Sequence, residues 1–312
     1  MQESSIVAYT EQVAGEIASR HADDPVAELE LWLKLAHQRE AMVTQLYELS
    51  ELDRRLTAEQ ASGVCRLVRS VVLSIWAHES SHTRHLATLR SAHSASAALA
   101  ELQGSLEGWV TRQATQGSGL ARMLIAIGVS LGQAPDFARE LRELSLVELL
   151  QFHAELETTA RMGYQRILQI AARIDDELSG STPVNGASNG ASNVAGTAAG
   201  TADYGITFRY DMARILCEEN FHEAAFLEMM RWLEDEGKLS ELSVPACTQA
   251  LHRLCAEHLA VGAVRGVAAA ESPGLESFVP GDPQGNEWVS DGGLGAVFRS
   301  AGLAVPVLEG SR

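Results

Sequence analysis

Apolar residues recur with the 3.6-residue helical period along several long stretches, and alternating runs of the kind that make strands are almost absent. The first stretch covers about Pro25 to Asp53, with Leu29, Leu33, Ala36, Val43 and Tyr47 on one stripe. Its proline suits an early helical position. Thr57, with Gln60 three residues on, has the form of a capping box and predicts a short connection. A second helix then runs to about Ala92, aligning Val68, Val72, Ile75, Trp76 and Leu86. A third is expected from near Pro135-Asp136 to about Leu178, with Leu146, Leu150, Ala154, Ala160, Tyr164 and Leu168 in line. A fourth spans roughly Phe208 to Glu236, carrying Met212, Ile215, Leu216 and Phe226 on one face, and Pro245 to Ala270 reads as a fifth. The pattern predicts an all-α chain.

This divides the sequence into a lead-in (1–24), a helical hairpin (25–92), and a looser stretch with an extra helix around Ala121 to Leu131 (93–135). There follow a long helix (136–178), a linker (179–202), another long helix (203–238), an additional helix (239–272) and an irregular arm (273–312). The linker, SGSTPVNGASNGASNVAGTAAGTA, is a Gly/Ser/Asn/Ala tract that cannot build a core and is expected to be flexible.

Charge narrows the function classes. A formal charge of −17 speaks against a general nucleic-acid binder, because contact with phosphates needs a basic face. No polybasic stretch points to an anionic membrane, and the most apolar run, Met123 to Leu131, is too short to span a bilayer. The first residues lack the basic and apolar regions of a secretory signal. Cys65, Cys217, Cys247 and Cys255 stand far apart, without a metal or disulfide spacing, and read as buried small hydrophobes. A cytoplasmic, soluble protein is expected.

The chemistry lies in two Glu-x-x-His sequences, Glu79-Ser-Ser-His82 on the second helix and Glu219-Asn-Phe-His222 on the fourth. An offset of three puts carboxylate and imidazole on one helix face. Alone, each is weak, since a chain with ten histidines readily yields one by chance. Their setting is more telling, because both pairs fall inside apolar stripes. Burying a carboxylate there is costly unless it is paired or binds a metal. The alternative is a pair of Glu–His hydrogen bonds within a core.

On the first and third helices, Glu40 and Glu157 are the carboxylates that share the apolar stripe, whereas Glu48, Glu51 and Glu155 have polar neighbours and read as solvated. These choices expose an internal repeat. Tyr47 follows Glu40 by seven residues and Tyr164 follows Glu157 by seven. Glu40 precedes Glu79 by 39 residues and Glu157 precedes Glu219 by 62; removing 23 residues, about the length of the linker, equalises the intervals. Both halves present Glu, Tyr, then Glu-x-x-His in one register.

In this the chain resembles the ferritin-like di-iron carboxylate proteins, in which two helices each give a Glu and two others each give a Glu-x-x-His to the middle of a four-helix bundle. The likeness covers about residues 25–92 and 136–236. It implies a ferritin-like bundle with a long crossover between helices two and three, and Glu40, Glu79, His82, Glu157, Glu219 and His222 as metal ligands. Carboxylates with two imidazoles suit two Fe ions, or a Mn/Fe pair, better than Zn or Cu(I). Glu218 sits where several members of the family carry an outer-shell acid, and could orient His82. Asp211 is a second candidate, more plainly a surface acid. His153 resembles the extra histidine that some di-iron N-oxygenases recruit, with a hydrogen-bonded core histidine as the simpler reading. Tyr47 and Tyr164 read as core aromatics rather than radical sites. His78, His82 and His85 could alternatively form a mononuclear zinc site, a reading that ignores the repeat; His37 is a further spare.

The resemblance implies O₂ activation for oxidation of a small-molecule substrate by hydroxylation, N-oxygenation or desaturation, in the manner of oxidative enzymes of bacterial secondary metabolism. A ferritin-type ferroxidase and a ferritin-like scaffold without catalysis are the alternatives. With no nicotinamide or flavin fingerprint, electrons would come from a reductase or ferredoxin partner, a small reductant or the substrate. A homodimer is the expected upper assembly for an enzyme, against the closed shell of a storage ferritin.

Overall fold

The computed structural model of the chain describes residues 23–58, 63–92, 141–180, 206–234 and 242–259, with parts of 11–19 and 262–267. Every regular element among them is a helix: α1 (Pro25–Leu49), α2 (Leu52–Ala58), α3 (Gly63–Ala92), α4 (Leu146–Gly180), α5 (Ile206–Glu234) and α6 (Val244–His258). None is long and apolar enough to cross a membrane. The proposed extra helix in 93–135, the linker from residue 181 onward and the arm beyond 272 lie outside the described residues.

Local chemistry sets the helix starts. Asp24 caps α1 by accepting the Ala27 N–H at 3.0 Å, with Pro25 next to it where no N–H is needed. A capping box that the periodicity did not reveal opens α4: Glu148 N–H donates to the Ser145 hydroxyl at 3.2 Å, and Ser145 N–H donates to Glu148 Oε2 at 2.7 Å. Ser243 caps α6 in the same way through Ala246 N–H at 3.2 Å.

The connection between α1 and α3 departs from expectation. Thr57 is not an N-cap but an interior residue of α2, where its hydroxyl donates to the Asp53 carbonyl at 2.8 Å. The chain instead turns at Glu51, whose φ of 51° is left-handed. That turn ends α1 at Leu49 and starts the separate short helix.

α1 packs against α3 and α4, α4 packs along α5, α5 approaches α3, and α6 covers α5 and α3. The core falls into two apolar clusters. One holds Met42, Ile75, Leu156 and Phe221; the other holds Ala36, Leu86, Tyr164 and Leu216. Each of the four long helices contributes to both clusters. At the changeover from one cluster to the other it carries the acid, or the acid and histidine, singled out by the repeat. The polar layer is therefore sandwiched within the core, away from the helix ends.

Candidate metal centre

That layer gathers all six residues of the repeat. Glu40, Glu79, Glu157 and Glu219 are each at most 1% exposed, and His82 and His222 are 4% and 0% exposed. Their donor atoms form two groups suited to a metal ion, Glu40–Glu79–His82–Glu219 and Glu79–Glu157–Glu219–His222, each within a span of 4.8 Å. Glu79 and Glu219 belong to both. Each group thus has one private carboxylate, one imidazole and two shared carboxylates able to bridge.

Both imidazoles turn Nδ1 inward and Nε2 outward. His82 Nδ1 lies 3.1 Å from Glu219 and 3.9 Å from Glu40, while its Nε2 bonds to Glu218. His222 Nδ1 lies 2.9 Å from Glu79 and 3.8 Å from both Glu157 and Glu219, while its Nε2 meets His78 Nδ1 at 3.1 Å. The outer contact fixes each ring's orientation and leaves Nδ1 for the centre.

The donor set fits a pair of cations. Glu40 Oε2, Glu79 Oε1, Glu157 Oε1, both Glu219 oxygens, His82 Nδ1 and His222 Nδ1 are buried without an oriented hydrogen bond from the protein. Buried polar atoms are ordinarily bonded, so seven converging exceptions need an explanation. A buried acid elsewhere shows the ordinary solution. Glu28, fully buried, accepts from Arg166 at 2.6 and 2.9 Å and from Arg173 at 3.5 Å. Among the described residues, Glu40 is the one central carboxylate bonded to a guanidinium, that of Arg39.

Crowding shows in the acidities. Burial, then the neighbouring carboxylates Glu219, Glu40 and Glu157, pushes Glu79 well up; burial chiefly carries Glu157 to about 8. Burial would raise Glu40 too, but Arg39 outweighs it and holds that carboxyl at about 2. Burial is likewise outweighed at Glu219, which His222 and His82 hold low. Both histidines are raised, because carboxylate partners overcome the cost of burying an imidazolium. Protons thus stabilise a cluster that cations would stabilise better.

The other residues singled out in the sequence fall into distinct places. Glu218 lies behind His82, bonded to its Nε2. Asp211 is a partly exposed acid, 3.8 Å from His85, and belongs to neither donor group. Tyr164 is more than packing: its hydroxyl donates to Glu40 Oε1 at 2.9 Å. Tyr47 is buried with its hydroxyl unbonded, and stacks on His153 at 4.4 Å. His153 is fully buried but is neither in a donor group nor a hydrogen-bonded core histidine, since neither ring nitrogen has a partner. A zinc site of His78, His82 and His85 does not form, because His78 faces His222 and His85 faces Asp211.

Arg39 and His78 were missed as parts of the centre. The signal was their position immediately before Glu40 and Glu79, the position Glu218 holds before Glu219. Compared with protein-family models, with curated proteins and with solved structures, the chain gives no match.

Proposed function

We propose that this chain is a ferritin-like di-iron protein that uses O₂ to oxidise a small organic molecule. The observation that carries the reading is the overlap of the two donor groups at Glu79 and Glu219. A single-ion site has no use for the second histidine, and a structural salt-bridge network would carry bonded oxygens like those of Glu28.

Glu40, Glu79, His82 and Glu219 would hold one ion, and Glu79, Glu157, Glu219 and His222 the other. Bound there, an iron pair supplies the redox chemistry that O₂ activation requires. The chain's own residues hold and orient. Glu218 and His78 aim the two imidazoles, Tyr164 and Arg39 hold Glu40, and the two apolar clusters keep bulk water from the layer between them. Electrons would come from a reductase or ferredoxin partner, a small reductant or the substrate.

The experiment is to reconstitute the protein anaerobically with Fe(II), count bound iron, then follow O₂ uptake and molecular size. Two irons per chain, O₂ uptake limited to the bound iron, and a monomer or dimer on gel filtration are expected. Mineralisation of hundreds of irons in a large shell would establish iron storage instead.

A further inference from the structure

The repeat that builds the centre is broken in one place. Glu40 is fixed from both sides: Oε1 accepts from Tyr164 at 2.9 Å and from Arg39, whose guanidinium lies 5.2 Å from the Tyr164 ring centre. Its counterpart Glu157 has Leu156 where Glu40 has Arg39, and Glu157 Oε1 is unbonded. Tyr47, the counterpart of Tyr164, makes no hydrogen bond through its hydroxyl. One turn before Glu157, His153 leaves both ring nitrogens unbonded and is held flat between Tyr47 and Phe226, at 4.4 and 5.4 Å. The two tyrosines belong to opposite apolar clusters, so the centre has one finished side and one where buried polar atoms await partners.

The unfinished side is also the one that meets a cavity. Tyr47, with Val72, Leu73 and Trp76, lines a cleft of about 310 Å³, a volume suited to a small organic molecule. Trp76 Nε1 is another buried donor without a partner. Two of the three rim acids are matched by arginines, Glu51 by Arg54 and Asp53 by Arg69, and the exposed Glu48 leaves the mouth mildly unfavourable to anions. Finer selection falls to the interior. Glu157, Glu79 and Glu219 all act on the Tyr47 phenol, and Arg39 is committed to Glu40 at the other side. Glu40, Glu79, Glu157 and Glu219 already balance the charge of two divalent cations, so an anionic head group would bring an uncompensated charge into a buried site, whereas a neutral one would not. Burial pushes His153 down to about 3, so its ring is neutral near pH 7 and offers one N–H and one lone pair.

We propose that the side of the centre formed by Tyr47, His153 and Glu157 is the substrate face, reached through this cleft, and that it takes a small molecule with an uncharged amine or hydroxyl head group rather than a carboxylate. The inference rests on the metal-centre reading above and adds where the substrate binds and what it carries. Tyr47 and His153 would be positioning residues, holding the head group beside the metal position that Glu157 serves.

The test loads the protein with cobalt(II), with zinc-loaded protein as the diamagnetic reference, and measures proton relaxation of aniline, phenol and benzoate offered separately. Aniline and phenol should be relaxed by the cobalt, and benzoate at least tenfold less. Tyr47→Phe should weaken aniline and phenol binding roughly tenfold, as expected for one lost hydrogen bond. Leu73→Trp, which fills the cleft, should abolish the effect, and both variants should still hold two cobalt ions per chain. Benzoate bound as well as phenol, or unchanged relaxation in both variants, overturns the proposal while leaving the metal centre standing. Wild-type protein that retains two cobalt ions but relaxes none of the probes does the same. Failure of the wild type to hold two cobalt ions overturns the centre and this inference together.

Discussion

Filling the centre with two divalent cations at pH 7 is expected to expel protons, up to four of them. Four of its groups take up protons more readily than they would in water. Glu79 and Glu157 are raised first by burial, and Glu157 reaches about 8. His82 and His222 are raised because facing carboxylates outweigh the burial that alone would lower them. Glu40 and Glu219 are held low and have no proton to give. Metal binding needs neutral imidazole at Nδ1 and ionised carboxylate, so each of the four raised groups must give up the proton it holds.

The sign follows directly. Raising the pH removes the competing protons, so affinity rises with pH. The overall constant for two ions should climb with pH near neutrality, and less steeply above about pH 8, where Glu157 ionises without help. Stability of the metal-free protein moves the other way. A carboxyl raised from 4.5 to about 8 binds a proton in the folded state that the unfolded chain has lost, so its stabilisation is lost as pH rises through that window. The raised histidines act in the same sense above their unfolded value. Titration with Mn(II) by calorimetry, repeated in buffers of different ionisation enthalpy, counts the protons. Thermal melts at pH 6 and 8, with and without Mn(II), check the second part. No net proton release on metal binding, or an affinity unchanged between pH 6 and 8, would refute the picture of a crowded, proton-stabilised cage.

Three further outcomes are expected. His82→Ala and His222→Ala should each reduce bound iron from two per chain to one or none by elemental analysis, since each removes the only imidazole of its group. Glu218→Gln keeps a hydrogen-bonding group beside His82 but removes the negative charge, and should weaken metal binding about 10- to 100-fold in a competition titration with a chelator. Glu28→Gln weakens the bonds to Arg166 and Arg173, both partly exposed. It should cost about 2 kcal/mol, a fall in melting temperature of roughly 4–8 °C, while leaving metal content at two.

The helices and the six central residues were legible because both depend on one regularity. A buried stripe repeats with the helix period, and an acid within such a stripe stands out as costly. Glu40 and Glu157 were separable from Glu48 and Glu155 partly on that ground and partly by the repeat they complete. The structure places the chosen pair at 0% and 1% exposure and leaves Glu48 exposed. Helix ends were less legible because they turn on single capping bonds. Thr57-x-x-Gln60 and Ser145-x-x-Glu148 look alike in sequence, but Thr57 lies within α2 whereas Ser145 and Glu148 make the box.

The outer groups were hidden for a different reason. One residue before a ligand is about 100° off the stripe, a direction that periodicity assigns to the helix flank. In a bundle the flank faces the neighbouring helix, so a residue there serves its neighbour's ligand or steadies its own. His78 on α3 supports His222 on α5, and Glu218 on α5 supports His82 on α3. Arg39, before Glu40, turns back to its own carboxylate. Leu156 alone, before Glu157, has no polar group to offer. Three filled flanks and one apolar one mean that the repeat conserves the metal ligands but not their support. The unsupported ligand is where a partner from outside the chain has most to contribute.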